Sequence, residues 1–153
     1  MIKAAQDITI ARSQPQVFDY VVDNDNLLEW NSAALSCGQK LTAGPIGRGT
    51  RLRGSFKGYG EVDVEITEYD PPSRFTMVSA TKQGIFRHTI SLSATPTGTR
   101  LKQAASLETK GLARLMSPVI GSMIRRQFRR DNAKLKQILE SAVRSGQVAS
   151  ARS

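Results

Sequence analysis

Two periods of apolar spacing divide this chain. Between residues 6 and 11, Ile8 and Ile10 alternate with Asp7 and Thr9, which predicts a first strand over Gln6–Ala11 with the isoleucines on its buried face. Ser13 then stands as an N-cap with Pro15 in the first helical turn. Val17, Phe18, Val21 and Val22 follow at helical spacing, giving a short helix that ends at Val22. The turn-prone run Asp23–Asn26 breaks the chain before Leu27, Leu28 and Trp30, which predict a second short helix.

From Ala33 to Leu107 the period drops to two, and Gly- and Pro-containing turns cut the pattern into segments. The expected strands are Ala34–Leu41, Thr50–Phe56, Glu61–Tyr69, Arg74–Ala80, Ile85–Ala94 and Thr99–Leu107, joined as an antiparallel meander. In the third of these, Val62, Val64 and Ile66 share one face while Glu61, Asp63 and Glu65 share the other, so one face is buried and one is wet. Helical spacing returns with Leu112, Leu115, Met116, Val119, Ile120, Met123, Ile124, Leu135, Ile138 and Leu139. A proline does not fit a helix interior, so a short turn to Met116 precedes a long helix that starts with Ser117 as N-cap and Pro118 as first residue. That helix is expected to run to about Val143, with 145–153 as a loose tail and residues 1–144 as one domain.

Composition narrows the chemistry. At 153 residues, 39% of them hydrophobic and 23% charged, the chain has the proportions of one ordinary globular domain able to bury its own core. One cysteine (Cys37) and one histidine (His88) exclude a disulfide framework and any Cys/His metal centre. Cys37, inside an expected strand, reads as an inert buried thiol. Asp23–Asn26 lacks the glycine and glutamate of a calcium loop, and Gly44–Gly49 lacks the Lys-Ser/Thr ending of a phosphate loop. No cofactor motif emerges. The longest apolar stretches, such as 118–124, are interrupted by Gly121 and Ser122 and are too short to cross a bilayer. Met1–Asp7 lacks the pattern of a secretory signal, which gives a cytoplasmic location as the expectation.

The net charge of +9 is unevenly spread: residues 1–110 carry 13 basic and 11 acidic groups, whereas 111–153 carry 9 basic and 2 acidic. Arg125, Arg126, Arg129 and Arg130 face away from the apolar stripe of the long helix, as a solvated outer face does. With only Phe128 interleaved and no reading module, specific nucleic-acid binding is not expected. Transient attraction to an anionic membrane is compatible with the same charges.

The series Val17-Phe18-Asp19-Tyr20-Val21-Val22-Asp23, Leu28-Glu29-Trp30-Asn31, Gly47-Arg48-Gly49-Thr50, Glu65-Ile66-Thr67-Glu68-Tyr69-Asp70-Pro71-Pro72 and Gly98-Thr99-Arg100-Leu101 spans nearly the whole chain. In this order it resembles the START-like (SRPBCC) superfamily and, within it, the polyketide cyclase/dehydrase-like family. The resemblance implies an α+β helix-grip fold: a curved antiparallel sheet of about seven strands wrapped around a long C-terminal helix, with two short helices after the first strand. It also implies an elongated cavity between sheet and helix for a hydrophobic or aromatic small molecule.

Strand alternation supplies an inward set independently of the resemblance. It comprises Leu52, Gly54 and Phe56; Val62, Val64 and Ile66; Phe75, Met77 and Ser79; Phe86, His88, Ile90 and Leu92; and Leu101, Gln103, Ala105 and Leu107. Ser79, His88 and Gln103 are its polar exceptions, and a mostly apolar wall with a few converging polar groups suits a ligand site. From the long helix, Met116, Met123 and Gln127 are expected to join them. Trp30 either roofs the cavity or anchors its short helix to the sheet. His88 is either a satisfied core histidine or the proton-transfer group of an enzyme. The expected ligand site is therefore Trp30, Phe56, Met77, Ser79, His88, Gln103, Met116, Met123 and Gln127. Three functions remain open: a carrier or sensor of a small hydrophobic molecule, a cyclase- or dehydratase-like enzyme using His88, and a module that binds anionic surfaces through its basic helix.

Overall fold

The computed structural model describes residues 1–152, with Ala113 and residues 142–152 in backbone only. Strand β1 (Ile2–Ile10) leads into helix α1 (Gln14–Val22), a single 3-10 turn at Asn24–Asn26 and helix α2 (Leu27–Trp30). Strands β2 (Gln39–Lys40), β3 (Arg51–Phe56), β4 (Gly60–Asp70), β5 (Arg74–Thr81), β6 (Gly84–Thr95) and β7 (Gly98–Glu108) follow. Helices α3 (Leu112–Leu115) and α4 (Ser117–Arg152) close the chain. The described strands form one seven-stranded antiparallel sheet in the order β1-β7-β6-β5-β4-β3-β2. This is the expected helix-grip architecture, in which the first and last strands pair along their whole length, from Ile2 opposite Leu107 to Ile10 opposite Thr99.

Local chemistry accounts for several boundaries. Ser13 caps α1 in a capping box with Gln16, and a proline occupies the first turn, as the sequence predicts. At the start of β6, a Cβ on Gly84 would stand 1.7 Å from the Glu108 carbonyl oxygen, and φ there is +138°. Only glycine fits so close an approach at that backbone angle.

Three expectations change. β1 begins at Ile2 rather than Gln6, because pairing with β7 outweighs the weak strand preference of Ala4 and Ala5. The strand expected over Ala34–Leu41 shrinks to Gln39–Lys40 plus one bridge from Ala34 to Phe56. Its other residues run as bends and irregular chain, leaving Cys37 exposed rather than buried. Helix α4 starts at Ser117 itself, whose hydroxyl donates to the Arg114 carbonyl at 2.6 Å instead of capping the helix. The helix end expected near 143 and the tail expected over 145–153 fall outside the fully described residues.

The sheet's inner face is built of cross-strand rows. Leu52, Val64, Ser79, Phe86 and Leu107 form one row; Ile66, Met77, His88 and Ala105 form the next. A bulge between Ile66 and Glu68 resets the phase of β4, so that Tyr69 comes opposite Phe75 and packs edge-on against Phe18. Helix α4 lies over this face and buries Ile124, Phe128, Leu135 and Leu139. Two apolar clusters result. The larger joins α1, Trp30, β5–β7 and the later turns of α4; the smaller joins β1, β7, Ile124 and Phe128. On the outer face, Arg53 grips Asp63 with two hydrogen bonds of 2.7 and 3.2 Å, the cross-strand charge pairing that alternation predicts.

Candidate functional site

Of the two inner-face rows, only Met77 packs against the larger cluster. Between them, α2 and α4 lies a cavity of about 130 Å³. Its floor is Leu52, Val64, Ile66, Met77, Ser79 and Phe86, its α4 wall is Ile124, Gln127 and Phe128, and Trp30 and Phe56 complete it. The lining is predominantly apolar, which follows from strand alternation placing each i, i+2 set on one face. An apolar cavity stays unfilled only because neighbouring elements hold its walls apart. Here the frame is the sheet's own hydrogen-bond ladder together with α2 and α4.

Of the residues expected to form the site, Trp30, Phe56, Met77, Ser79, His88 and Gln127 all line the cavity. Gln103 stands immediately behind the wall, fully buried, and reaches the cavity through His88. Met116 and Met123 do not reach it. They are 51% and 63% exposed, because the buried line of α4 runs through Ile124, Phe128, Leu135 and Leu139. Met123 stands one residue, about 100° of helical turn, from Ile124, and Met116 precedes the helix altogether.

His88 is the most constrained polar group in the wall. Its ring stacks on Phe128 with centroids 5.0 Å apart and planes 13° from parallel. Nε2 lies 2.9 Å from Gln103 Oε1, and Gln103 Nε2 donates to Asn132 Oδ1 at 2.7 Å. With Gln103 oriented this way its oxygen accepts, so His88 carries its proton on Nε2 and presents Nδ1 as a bare acceptor. Burial drives the histidine pKa from 6.5 down to about 4, although the Gln103 hydrogen bond opposes the shift. The imidazole is therefore neutral at physiological pH.

Asn132 completes this chain and was missed from the sequence. A signal existed, since Asn132 is an amide placed four residues after Phe128 and three before Leu135, on the buried line of α4. Its Nδ2 has no partner. Trp30 Nε1 is likewise buried without a partner, on a residue only 3% exposed that lines the cavity. At the α2 end, Asp131 accepts from the Ser32 backbone N–H at 3.0 Å and from Gln127 Nε2 at 3.3 Å. Burial raises the Asp131 pKa above its ordinary value, opposed by these bonds. Among the described residues no cluster of His, Cys, Asp or Glu is arranged to hold a metal ion, and no helix is long and apolar enough to cross a membrane.

The fold is shared with several solved structures. A protein from Mesorhizobium loti, MLL2253, superposes with a TM-score of 0.71 at 17% identity, covering 91% of this chain and 97% of its own. Ara h 8.0201 superposes with a TM-score of 0.69 at 16% identity, covering 91% and 97%. DynU16, from the dynemicin biosynthetic locus, superposes with a TM-score of 0.69 at 14% identity; the match covers 93% of this chain but 48% of DynU16. At such identities the likeness concerns the fold. No curated protein sequence matches this one. The family model for polyketide cyclase/dehydrase and lipid transport proteins, by contrast, matches residues 1–140. With the helix-grip sheet, the overlying C-terminal helix and the apolar cavity between them in place, the chain belongs to the polyketide cyclase/dehydrase and lipid transport family.

Proposed function

We propose that this protein is a cytoplasmic binding protein for a small hydrophobic or aromatic molecule held between the sheet and α4. The observation that carries the reading is the apolar cavity with the unpartnered Trp30 Nε1–H in its lining residues. A buried donor without an acceptor is costly to leave unmade. A carbonyl, hydroxyl or ether oxygen on an otherwise apolar ligand would satisfy it once the indole turns toward the cavity, from which the nitrogen is closed off in the unliganded protein. The volume sets the scale of that ligand. Apolar cavities of about 150 Å³ admit benzene, so about 130 Å³ is the scale of one small ring, and anything larger must displace α2 or α4. His88 adds an acceptor at Nδ1 for a ligand hydroxyl, complementing the Trp30 donor.

Proton transfer by His88 is less well supported. A base works best with a pKa near the operating pH, and burial holds this one near 4. Its Nε2 partner is also a neutral amide, not a carboxylate.

Native mass spectrometry of the purified protein, before and after denaturation, tests the reading. A released apolar compound of one-ring size is the expected result. A bare protein mass, with no thermal stabilisation by phenol, toluene or short-chain fatty acids, would sink the binding claim. If a compound is found, turnover by wild type that disappears in His88→Ala would instead favour the enzyme.

A further inference from the structure

The methionines that fail to reach the cavity point to a second surface. Leu112, Leu115, Met116, Val119 and Met123 are between 51% and 81% exposed, a run of large apolar side chains on α3 and the first turns of α4. Apolar residues gathered at one corner in this way mark a contact surface.

The phase of α4 shows that this exposure is built in. At 100° per residue, Val119, Met123, Arg126 and Arg130 fall within about 60° of one another. Ile124, Phe128 and Leu135 lie on the opposite side and are buried. The start of the helix packs on β1 at ordinary distance: a Cβ added at Gly121 would stand in normal contact, 3.6 Å from the Ile2 side chain. The outward stripe thus begins apolar and continues basic. Between Glu108 and the buried Asp131 the sequence has six cations, Lys110, Arg114, Arg125, Arg126, Arg129 and Arg130, and no acidic residue.

We propose that the α3–α4 corner docks on an anionic lipid bilayer, with Leu115, Val119 and Met123 entering the headgroup boundary and Arg126 and Arg130 meeting lipid phosphates. A basic face continuous with exposed large apolar residues is the composition of an interfacial helix. The apolar component separates this surface from a simple polyanion site, which gains nothing from leucine and methionine. Nucleic-acid readers of that kind stack exposed aromatics, whereas Phe128 is 3% exposed here. Docking would set Ile124, Gln127 and Phe128, the α4 wall of the cavity, on the helix that touches the membrane.

Co-sedimentation of the intact, ligand-free protein with extruded vesicles tests this independently of ligand binding. The probe vesicles are phosphatidylcholine alone and phosphatidylcholine with roughly 30% phosphatidylglycerol, where each added arginine contributes appreciably. Wild type is expected to pellet with the anionic vesicles, weakly with the neutral ones, and less as salt rises. Arg126→Gln with Arg130→Gln should weaken partitioning about thirtyfold, and Leu115→Gln with Met123→Gln should weaken it at unchanged charge. Because all four residues are exposed, circular dichroism should be unaltered. Absence of wild-type pelleting overturns the proposal. So does full pelleting by the Leu115→Gln/Met123→Gln variant, or a solution dimer that this variant dissociates, since a second copy then covers the corner.

Discussion

His88 is kept neutral by its surroundings, and that has a consequence for stability. The folded pKa is about 4 against 6.5 unperturbed, so between those values the unfolded chain binds a proton that the native protein does not. Stability is complete above pH 6.5 and is lost as pH falls toward 4, by about 2 kcal/mol at pH 5. Urea unfolding of wild type and His88→Gln at pH 7 and pH 5 measures the difference, and the variant should lack this part of the loss. Equal losses in both proteins would place the acid sensitivity elsewhere. Gln103 donates to Asn132 from a fully buried position. Asn132→Ala leaves that donor without its acceptor and should cost about 1–3 kcal/mol in the same unfolding measurement. The polar members His88 and Gln103 were legible because strand alternation exposes a polar residue on an apolar face. Their connection was not, because it depends on Asn132, 29 residues from Gln103 along the chain and brought to it only when α4 lies on the sheet.

At the level of the element, α4 shows where periodicity stops informing. Apolar residues occupy too wide an arc of the helix to define which line faces the sheet, and the first two turns carry Val119 and Met123 outward. Neighbours decided the matter: Gly121 against Ile2 at the start, and Phe128 stacked on His88 farther along. The two sides of the helix should therefore respond differently to truncation. Leu135→Ala removes a fully buried side chain and should cost about 2–5 kcal/mol, whereas Met123→Ala should change stability by no more than about 0.5 kcal/mol. Chemical denaturation of both variants reads the contrast directly. The strand expected around Cys37 failed for a related reason. Alternation there was weak, and the chain uses Asn24 Nδ2 to hold the Gly38 carbonyl at 2.7 Å, a side-chain bond in place of a strand ladder.

On the scale of the whole molecule, the order of elements was readable because each turn carries its own chemistry and each strand its own alternation. The inner face of the sheet was assigned nearly complete from that alternation, and six of the nine expected site residues line one cavity. Its volume could not be read, since faces follow from periodicity but the gap between α4 and the sheet follows from how far the helix stands off. That gap is the central feature: the sheet and α4 pack tightly at one end, around Leu101 and Leu135, and leave room at the other, between Met77, Phe86 and Phe128. The most direct test is an amide-resolved NMR titration of the labelled protein with p-cresol, one ring bearing a single hydroxyl. Saturable shifts centred on Met77, Ser79, Phe86, His88 and Phe128, with the Trp30 indole N–H moving as it gains an acceptor, are the predicted result. Shifts scattered over the exposed corner at Leu115 and Met123, with the cavity residues unmoved, would contradict the account.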